Sequence, residues 1–366
     1  MREIYLDNAA TTKPCEQAIS AMVNAMQKTY ANPSALHLLG LESEDAFLFA
    51  KQTIAKALKT SSNNIYFTSG GTESNNTLIF GAVKKLARKG KHIVTGAIEH
   101  PSVLEPIKEL EKQGYEVTII PASINGYKKE DVINAIRPDT ILVSLMTVNN
   151  ENGAISDLSF VKKAIKEKGS PALFHSDCVQ AFLKTDININ NYDLITISSH
   201  KICGPKGVGA MYVNADIMPL LYGGGQQKGV RSGTIFTELI CGFAAAVKAF
   251  DGKEIKNINN YARETLKEYQ INSPQNASDY ILNLSVKGYK SENLLHFLET
   301  KGIYVSTGSA CAKGAKSYVL KAMGLSDELI DSCLRISFSN STTKEEIDAF
   351  YEGLKQAEKT LVKARK

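Results

Sequence analysis

Between about residues 60 and 215, short apolar, β-branched runs alternate with amphipathic stretches, and this alternation constrains the fold more than any other feature. Residues 65–68, 92–95, 117–120, 140–145, 172–175, 194–197 and 209–213 read as strands. Residues 72–88, 103–112 and 158–168 carry helical periodicity between several of them. Strands separated by helices pair mainly in parallel and are covered on both faces. The expected architecture is therefore α/β: a mainly parallel seven-stranded sheet flanked by helices, with ligands beyond the carboxyl ends of its strands. Two helices, near residues 15–28 and 41–58, precede the sheet, and Pro14 stands where the first begins. Past residue 250 the pattern changes to an asparagine-rich helix, a strand over 280–285, a helix over 292–301 and a last helix from Thr343. A chain of 366 residues exceeds one simple core. It divides into a large domain, 16–250, and a smaller α+β domain built from 1–15 and 251–366.

The composition is that of a globular protein, 43% hydrophobic and 22% charged. A net charge of +5 permits anionic ligands, but no basic stripe with interleaved aromatics argues for nucleic acid. The N-terminus lacks an apolar signal core, and the longest apolar stretch, 239–250, is broken by Lys248 and too short to span a membrane. Six widely separated cysteines without a C-x-x-C pair fit a reducing cytoplasm. The histidines lack metal-ligand spacing, so no metal is expected.

Several motifs fall where strands run out. Ser198-Ser199-His200-Lys201 follows the sixth strand, and a desolvated lysine there loses its proton and attacks carbonyls. A solvated surface lysine is the plainer alternative. Thr68-Ser69-Gly70-Gly71-Thr72 links a strand to a helix, either as a capped turn or as an anion site made from free N–H groups. The helix dipole contributes only about 0.3–2 kcal/mol. Hydroxyls such as those of Thr72 and Ser198 would have to join it around a phosphate. His100, before Pro101, either starts a helix or stacks on a flat ring and moves protons. Asp177 either caps a turn or pairs with a ring cation, and Gln180 follows it at a spacing suited to the ring's edge. Arg335 lies in the apolar run Leu334-Arg335-Ile336, in a structural ion pair or as a bidentate anchor for a carboxylate. Cys311 sits in a run of small residues, about 306–317, bounded by lysines that favour a thiolate. The run reads as a mobile loop, whereas Cys241 and Cys333 read as inert thiols in apolar surroundings.

Taken in order, these motifs resemble the cysteine desulfurases, in the class V aminotransferase branch of fold type I pyridoxal phosphate enzymes. The match runs from Tyr5-Leu6-Asp7-Asn8-Ala9-Ala10-Thr11-Thr12 through Gly71-Thr72-Glu73-Ser74-Asn75, Glu99-His100 and Val148-Asn149-Asn150-Glu151. It continues with Asp177-x-x-Gln180, Ser199-His200-Lys201 and Arg231-Ser232-Gly233-Thr234, and ends at Gly308-Ser309-Ala310-Cys311. The resemblance implies that pyridoxal 5'-phosphate bonds Lys201, which later acts as a base. Asp177 would face the pyridine nitrogen and His100 would stack on the ring. Asn150 and Gln180 would contact its edge or the substrate. Gly71, Thr72, Ser198 and His200 would surround the phosphate, and Thr234 would reach the phosphate of a neighbouring subunit in a homodimer. Arg335 would take the carboxylate of L-cysteine. Cys311 would accept sulfur as a persulfide, release alanine and pass the sulfur to an acceptor protein, in iron–sulfur cluster assembly or tRNA thiolation. A selenocysteine lyase or another class V aminotransferase-type enzyme is the alternative on the same scaffold. A catalytically silent docking chain would have lost Lys201, Asp177 or Cys311, and all three are present. Asn152, Gln227-Lys228, Ser339-Asn340 and a short thiol loop depart from the family pattern and leave the sulfur acceptor open.

Overall fold

The computed structural model describes residues 3–307 and 316–363. The chain opens with β1 (Ile4–Tyr5) and helices α1 (Glu16–Lys28) and α2 (Leu38–Ala57). There follow β2 (Ile65–Thr68), α3 (Gly71–Leu86), β3 (His92–Gly96), α4 (Pro101–Lys112), β4 (Glu116–Ile120), β5 (Ala122–Ser123) and β6 (Gly126–Tyr127). Next come α5 (Lys129–Ala135), β7 (Thr140–Ser144), α6 (Val161–Glu167), β8 (Leu173–Asp177), β9 (Leu194–Ser198) and β10 (Gly209–Val213). Helices α7 (Thr237–Ala249) and α8 (Ile255–Thr265) lead to β11 (Gln270–Ile271), β12 (Ile281–Ser285), α9 (Ser291–Glu299) and β13 (Ile303–Tyr304). The last elements are α10 (Tyr318–Ala322), α11 (Asp327–Asp331), β14 (Cys333–Ser337) and α12 (Lys344–Thr360).

All seven expected strands are present and form one sheet in the order β2-β10-β9-β8-β7-β3-β4. Five of them, β9 through β4, pair in parallel, whereas β10 runs antiparallel to both β2 and β9. Successive side chains on a strand point to opposite faces, and the cores follow that rule. Ile93 and Leu142 join Leu78, Ile79, Val103 and Ile107 of α3 and α4 on one face. Their neighbours Val94 and Val143 join Phe47, Ile54 and Phe243 of α2 and α7 on the other. The apolar run 239–250 is thus helix α7, packed on α1 and α2 rather than exposed along its length. Among the described residues no helix is long and apolar enough to cross a membrane.

A three-stranded antiparallel sheet, β11-β12-β14, carries a separate core of Leu282, Leu284, Leu334 and Ile336 against Phe350 and Leu354 of α12. Thr343 and Glu346 start α12 with reciprocal hydrogen bonds, which fits a helix beginning at that threonine. The N-terminal segment connects the two sheets. β1 pairs in parallel with β13, Asp7 bridges to Ser337 of β14, and Thr12 bonds the carbonyl of His200 just after β9.

Two glycines allow the strand ends to close over the site. Gly70 caps α3 at φ 152°, ψ −175°, a conformation open essentially to glycine alone. A Cβ on Gly209 would lie 2.8 Å from the Gly70 backbone and 2.8 Å from the Ile197 carbonyl. Gly209→Ala is therefore expected to cost about 1–3 kcal/mol, read as a lower urea midpoint. An unchanged midpoint would show that β10 and the Gly70 turn do not meet this closely.

Candidate active site

The carboxyl ends of β8 and β9, the start of α3 and the N-terminal segment enclose a cavity of about 330 Å³. Among the expected site residues, Gly71, Thr72, His100, Asn150 and Asp177 line it, and so do Gln180, Ser198, His200, Lys201 and Arg335. Thr234 is exposed and stands apart from this cavity of its own chain. Cys311 lies outside the described residues.

Lys201 ends a short helical turn immediately after β9, and its Nζ donates to the carbonyls of Ala9 at 2.7 Å and Ala10 at 2.6 Å. Asp177 is the last residue of β8 and is buried. One of its carboxylate oxygens accepts from the Val179 N–H at 2.9 Å and the other from Asn75 Nδ2 at 2.8 Å. It therefore caps a turn and also faces the cavity, so the two readings of this residue are compatible. Asn75 in turn donates to Ser102 Oγ, which bonds His100 Nδ1 at 2.8 Å. This chain ties the carboxylate to the imidazole through α3 and α4.

His100 precedes Pro101 at the start of α4. Burial pushes its ring pKa down, the Asp177 charge opposes that shift, and the Lys201 charge adds to it. His200 goes further, down to about 4, through burial and then the charges of Lys201, Lys206 and Lys184. Both rings are thereby held neutral at pH 7, as proton acceptors rather than cations. Arg335 in β14 is 1% exposed and reaches the cavity with a hydrogen bond to the Asn150 carbonyl at 2.9 Å and an ion pair to Asp7 at 2.6 Å. The ion pair is present, and Nε of the same guanidinium has no partner among the described residues.

The cofactor can be tested against these residues. Ser198 Oγ is buried and has no partner among the described residues. It stands close to Gly71, whose Cβ position would lie 3.9 Å from the Ser198 side chain, at the start of α3 with its unpaired N–H groups. A hydroxyl donor, a helix start, a lysine amine and a carboxylate lining one cavity suit a phosphorylated pyridine aldehyde.

Some participants were not singled out by sequence reasoning. Asn75 falls inside a quoted motif without an assigned role, and Ser102 follows the His100-Pro101 pair without a signal of its own. Asp7 was visible only as part of the N-terminal match. Glu99 is fully buried, and its Oε1 accepts from Tyr127 at 2.5 Å and the Met146 N–H at 2.6 Å. Burial pushes its carboxyl up to about 8, with the Asp177 charge adding to the shift. Ser176 and Thr147 surround Cys178, whose thiol burial pushes up to about 12, so it is inert as a nucleophile. Cys333 is likewise buried, pushed up to about 12, and bonds the Thr307 carbonyl.

An α/β sheet with an amine, a buried carboxylate, a helix start and an unpartnered hydroxyl around one cavity fits the class of pyridoxal phosphate-dependent enzymes. The aminotransferase class-V family model matches residues 4–350, and the chain belongs to that family. It is 38% identical to a cysteine desulfurase IscS of Dictyoglomus turgidum, over 95% of this chain and 92% of the relative. A solved NifS-like protein superposes with a TM-score of 0.92 at 32% identity, covering 98% of this chain and all of that one. The structure of SspA in complex with cysteine superposes with a TM-score of 0.84 at 32% identity, covering 93% of this chain and 100% of that one.

The buried Glu99 generates a pH prediction. Its carboxyl keeps its proton in the fold up to about pH 8 but ionises near 4.5 when unfolded. The folded state therefore binds the extra proton, and stability contributed by this group falls as pH rises from about 4.5 to 8. Glu99→Gln, which keeps the shape and cannot ionise, is expected to gain in melting temperature relative to the parent between pH 5 and pH 8. A difference independent of pH would place a carboxylate, not a carboxylic acid, at this position.

Proposed function

We propose that this chain is an L-cysteine desulfurase: L-cysteine and the Cys311 thiol give L-alanine and a persulfide on Cys311. The bound cofactor supplies the electron sink that labilises the bonds around the substrate's α-carbon. Lys201 would bond it, with Asp177 beside the ring nitrogen, His100 against the ring and Gln180 and Asn150 at its edge. Gly71, Thr72, Ser198 and His200 would hold its phosphate. Lys201 moves protons at Nζ, and the neutral His100 accepts one. Arg335 orients the substrate carboxylate.

The observation that carries the reading is convergence: Lys201, Asp177, His100 and Arg335 come from four separate stretches of chain and line one cavity. The described residues on either side of the Cys311 segment support the nucleophile. Ser306 exchanges backbone hydrogen bonds with Arg335, and Ser317 donates to Glu151 at 2.5 Å. Both anchors adjoin residues of the cavity, Arg335 itself and Asn150 next to Glu151. Cys311→Ala is expected to lower alanine release from L-cysteine by roughly a hundredfold, about 2.7 kcal/mol of barrier, with or without a reductant. Full activity under both conditions would remove Cys311 from the reaction, and pyruvate with a new amino acid as products would indicate transamination instead.

A homodimer completes the proposal. The exposed Thr234 would reach a neighbouring subunit's cofactor phosphate, and exposed apolar side chains lie on α2 and just before it, with Leu36 95%, Leu38 69% and Phe49 59% exposed. Exposed apolar side chains grouped on one stretch of chain suit an interface. The acceptor of the persulfide sulfur would be a further protein. Leu38→Glu is expected to shift the sedimenting mass from two chains to one. A mass that stays at two chains would move the interface elsewhere.

A further inference from the structure

Lys184 lies behind Lys201, past the turn that follows Asp177. Its Nζ donates to Gln180 Oε1 at 3.3 Å and sits over the Tyr280 ring, 5.3 Å from the centroid. The other end of the same amide, Gln180 Nε2, donates to the Ala9 carbonyl at 2.9 Å. That carbonyl also accepts from Lys201 Nζ at 2.7 Å. Lys184, Gln180, Ala9 and Lys201 therefore form one continuous chain of hydrogen bonds.

The polarity of this chain is set at both ends, by the Lys184 amine and by the Ala9 carbonyl. A lysine ammonium has three donors and no acceptor, while a glutamine amide accepts at one end and donates at the other. Only Oε1 can face Lys184, so Nε2 must face Ala9 and the cavity that Gln180 lines. With an apolar side chain at 184, Oε1 would lose its donor, and the Ala9 carbonyl alone would hold the amide in this direction.

We propose that Lys184 is a positioning residue for the cofactor site: it holds the oxygen end of the Gln180 amide and, through its charge, acts on the Lys201 nitrogen. A cationic amine beside a second amine disfavours the protonated form of that second amine and so favours the nucleophilic one. The titratable groups that face Lys184 are Lys201, His200, Cys203 and Tyr280. Burial and the Lys201 charge push Lys184 down to about 7, with Cys203 opposing the shift. Lys184 thus carries a share of charge at neutral pH and holds its hydrogen bond to Gln180 in either state.

The inference rests on Lys201 being the amine that bonds the cofactor. The test uses holoenzyme loaded with pyridoxal 5'-phosphate and three variants: Lys184→Met, Lys184→Gln and Lys184→Arg. Two quantities are read: the pH midpoint of the cofactor's visible absorbance, and the dissociation constant for pyridoxal 5'-phosphate by equilibrium dialysis. Loss of the charge in the Met and Gln variants is expected to raise the midpoint by about half a unit or more. The Met variant is expected to bind the cofactor roughly fivefold more weakly, the effect of about one hydrogen bond. Lys184→Arg, which keeps charge and donors, should return both quantities most of the way to the parent values. A role confined to packing would leave the midpoint unmoved, and an unmoved midpoint in either neutral variant overturns the proposal. Borohydride reduction and peptide mapping of the parent protein separate the two readings. An adduct at Lys201 with unshifted variants defeats only the role of Lys184, and an adduct elsewhere defeats both.

Discussion

The carbonyl oxygen of Ala9 is the point on which the site depends. It accepts from Lys201 and from Gln180, and it belongs to a segment that is otherwise anchored in the smaller sheet. Asn8 donates to the Ser337 carbonyl, the Ala9 N–H donates to Ser337 Oγ, and Asp7 pairs with Arg335. Past it, Thr12 bonds both the His200 carbonyl and the Cys203 N–H. A few residues of irregular backbone therefore set the distance between the amine of one sheet and the guanidinium of the other. Backbone groups buried this deeply must find partners, and here the partners are side chains that line the cavity.

Burial is the common cause behind the electrostatics of the cavity. It holds His100 and His200 neutral, keeps a proton on Glu99 and lowers Lys184, each in the direction of the uncharged form. His175, fully buried and pushed down to about 3, extends the same pattern beneath the site, bonded to Ser144 and Thr196. Two ion pairs stand beside these groups: Arg335 with Asp7, and Arg231 with Glu73 on the first turn of α3. The second pair is oriented by two contacts, from Arg231 Nε at 2.7 Å and from its terminal nitrogen at 3.2 Å. It fastens the segment leading to Thr234 onto the helix whose start opens on the cavity.

Much of this was legible in the amino acids. The seven strands are short, β-branched and bounded by turn residues, so their positions could be read directly. Lys201, Asp177 and Arg335 stood out because each is a polar residue at the end of, or within, an apolar run. The direction of β10 was not legible, because the connection 199–208 is long enough to cross over or to turn back. The pairing of β1 with β13 involves two residues on each side and carries no periodic signal. Asp7 and Asn75 were hidden for another reason: their partners lie far away in sequence. Lys184 bonds Gln180 only four residues back, and a lysine in a turn is ordinary. Glu99 gave no sign of holding a proton, since that depends on its complete burial in the fold, against which the Tyr127 and Met146 hydrogen bonds work.

The reversal at β10 has a consequence for how the site melts. Ser198 and Gly209 are direct neighbours across the β9–β10 ladder. The excursion that bears Lys201 leaves the central sheet and re-enters it at adjacent rungs, with both ends held in the most buried part of the molecule. A helix terminus or a surface flap can fray while the rest stays folded. A segment clamped at both feet resists this, so heat or denaturant should leave Lys201 in place until the whole sheet gives way. Loss of the site and loss of the fold are then a single cooperative event.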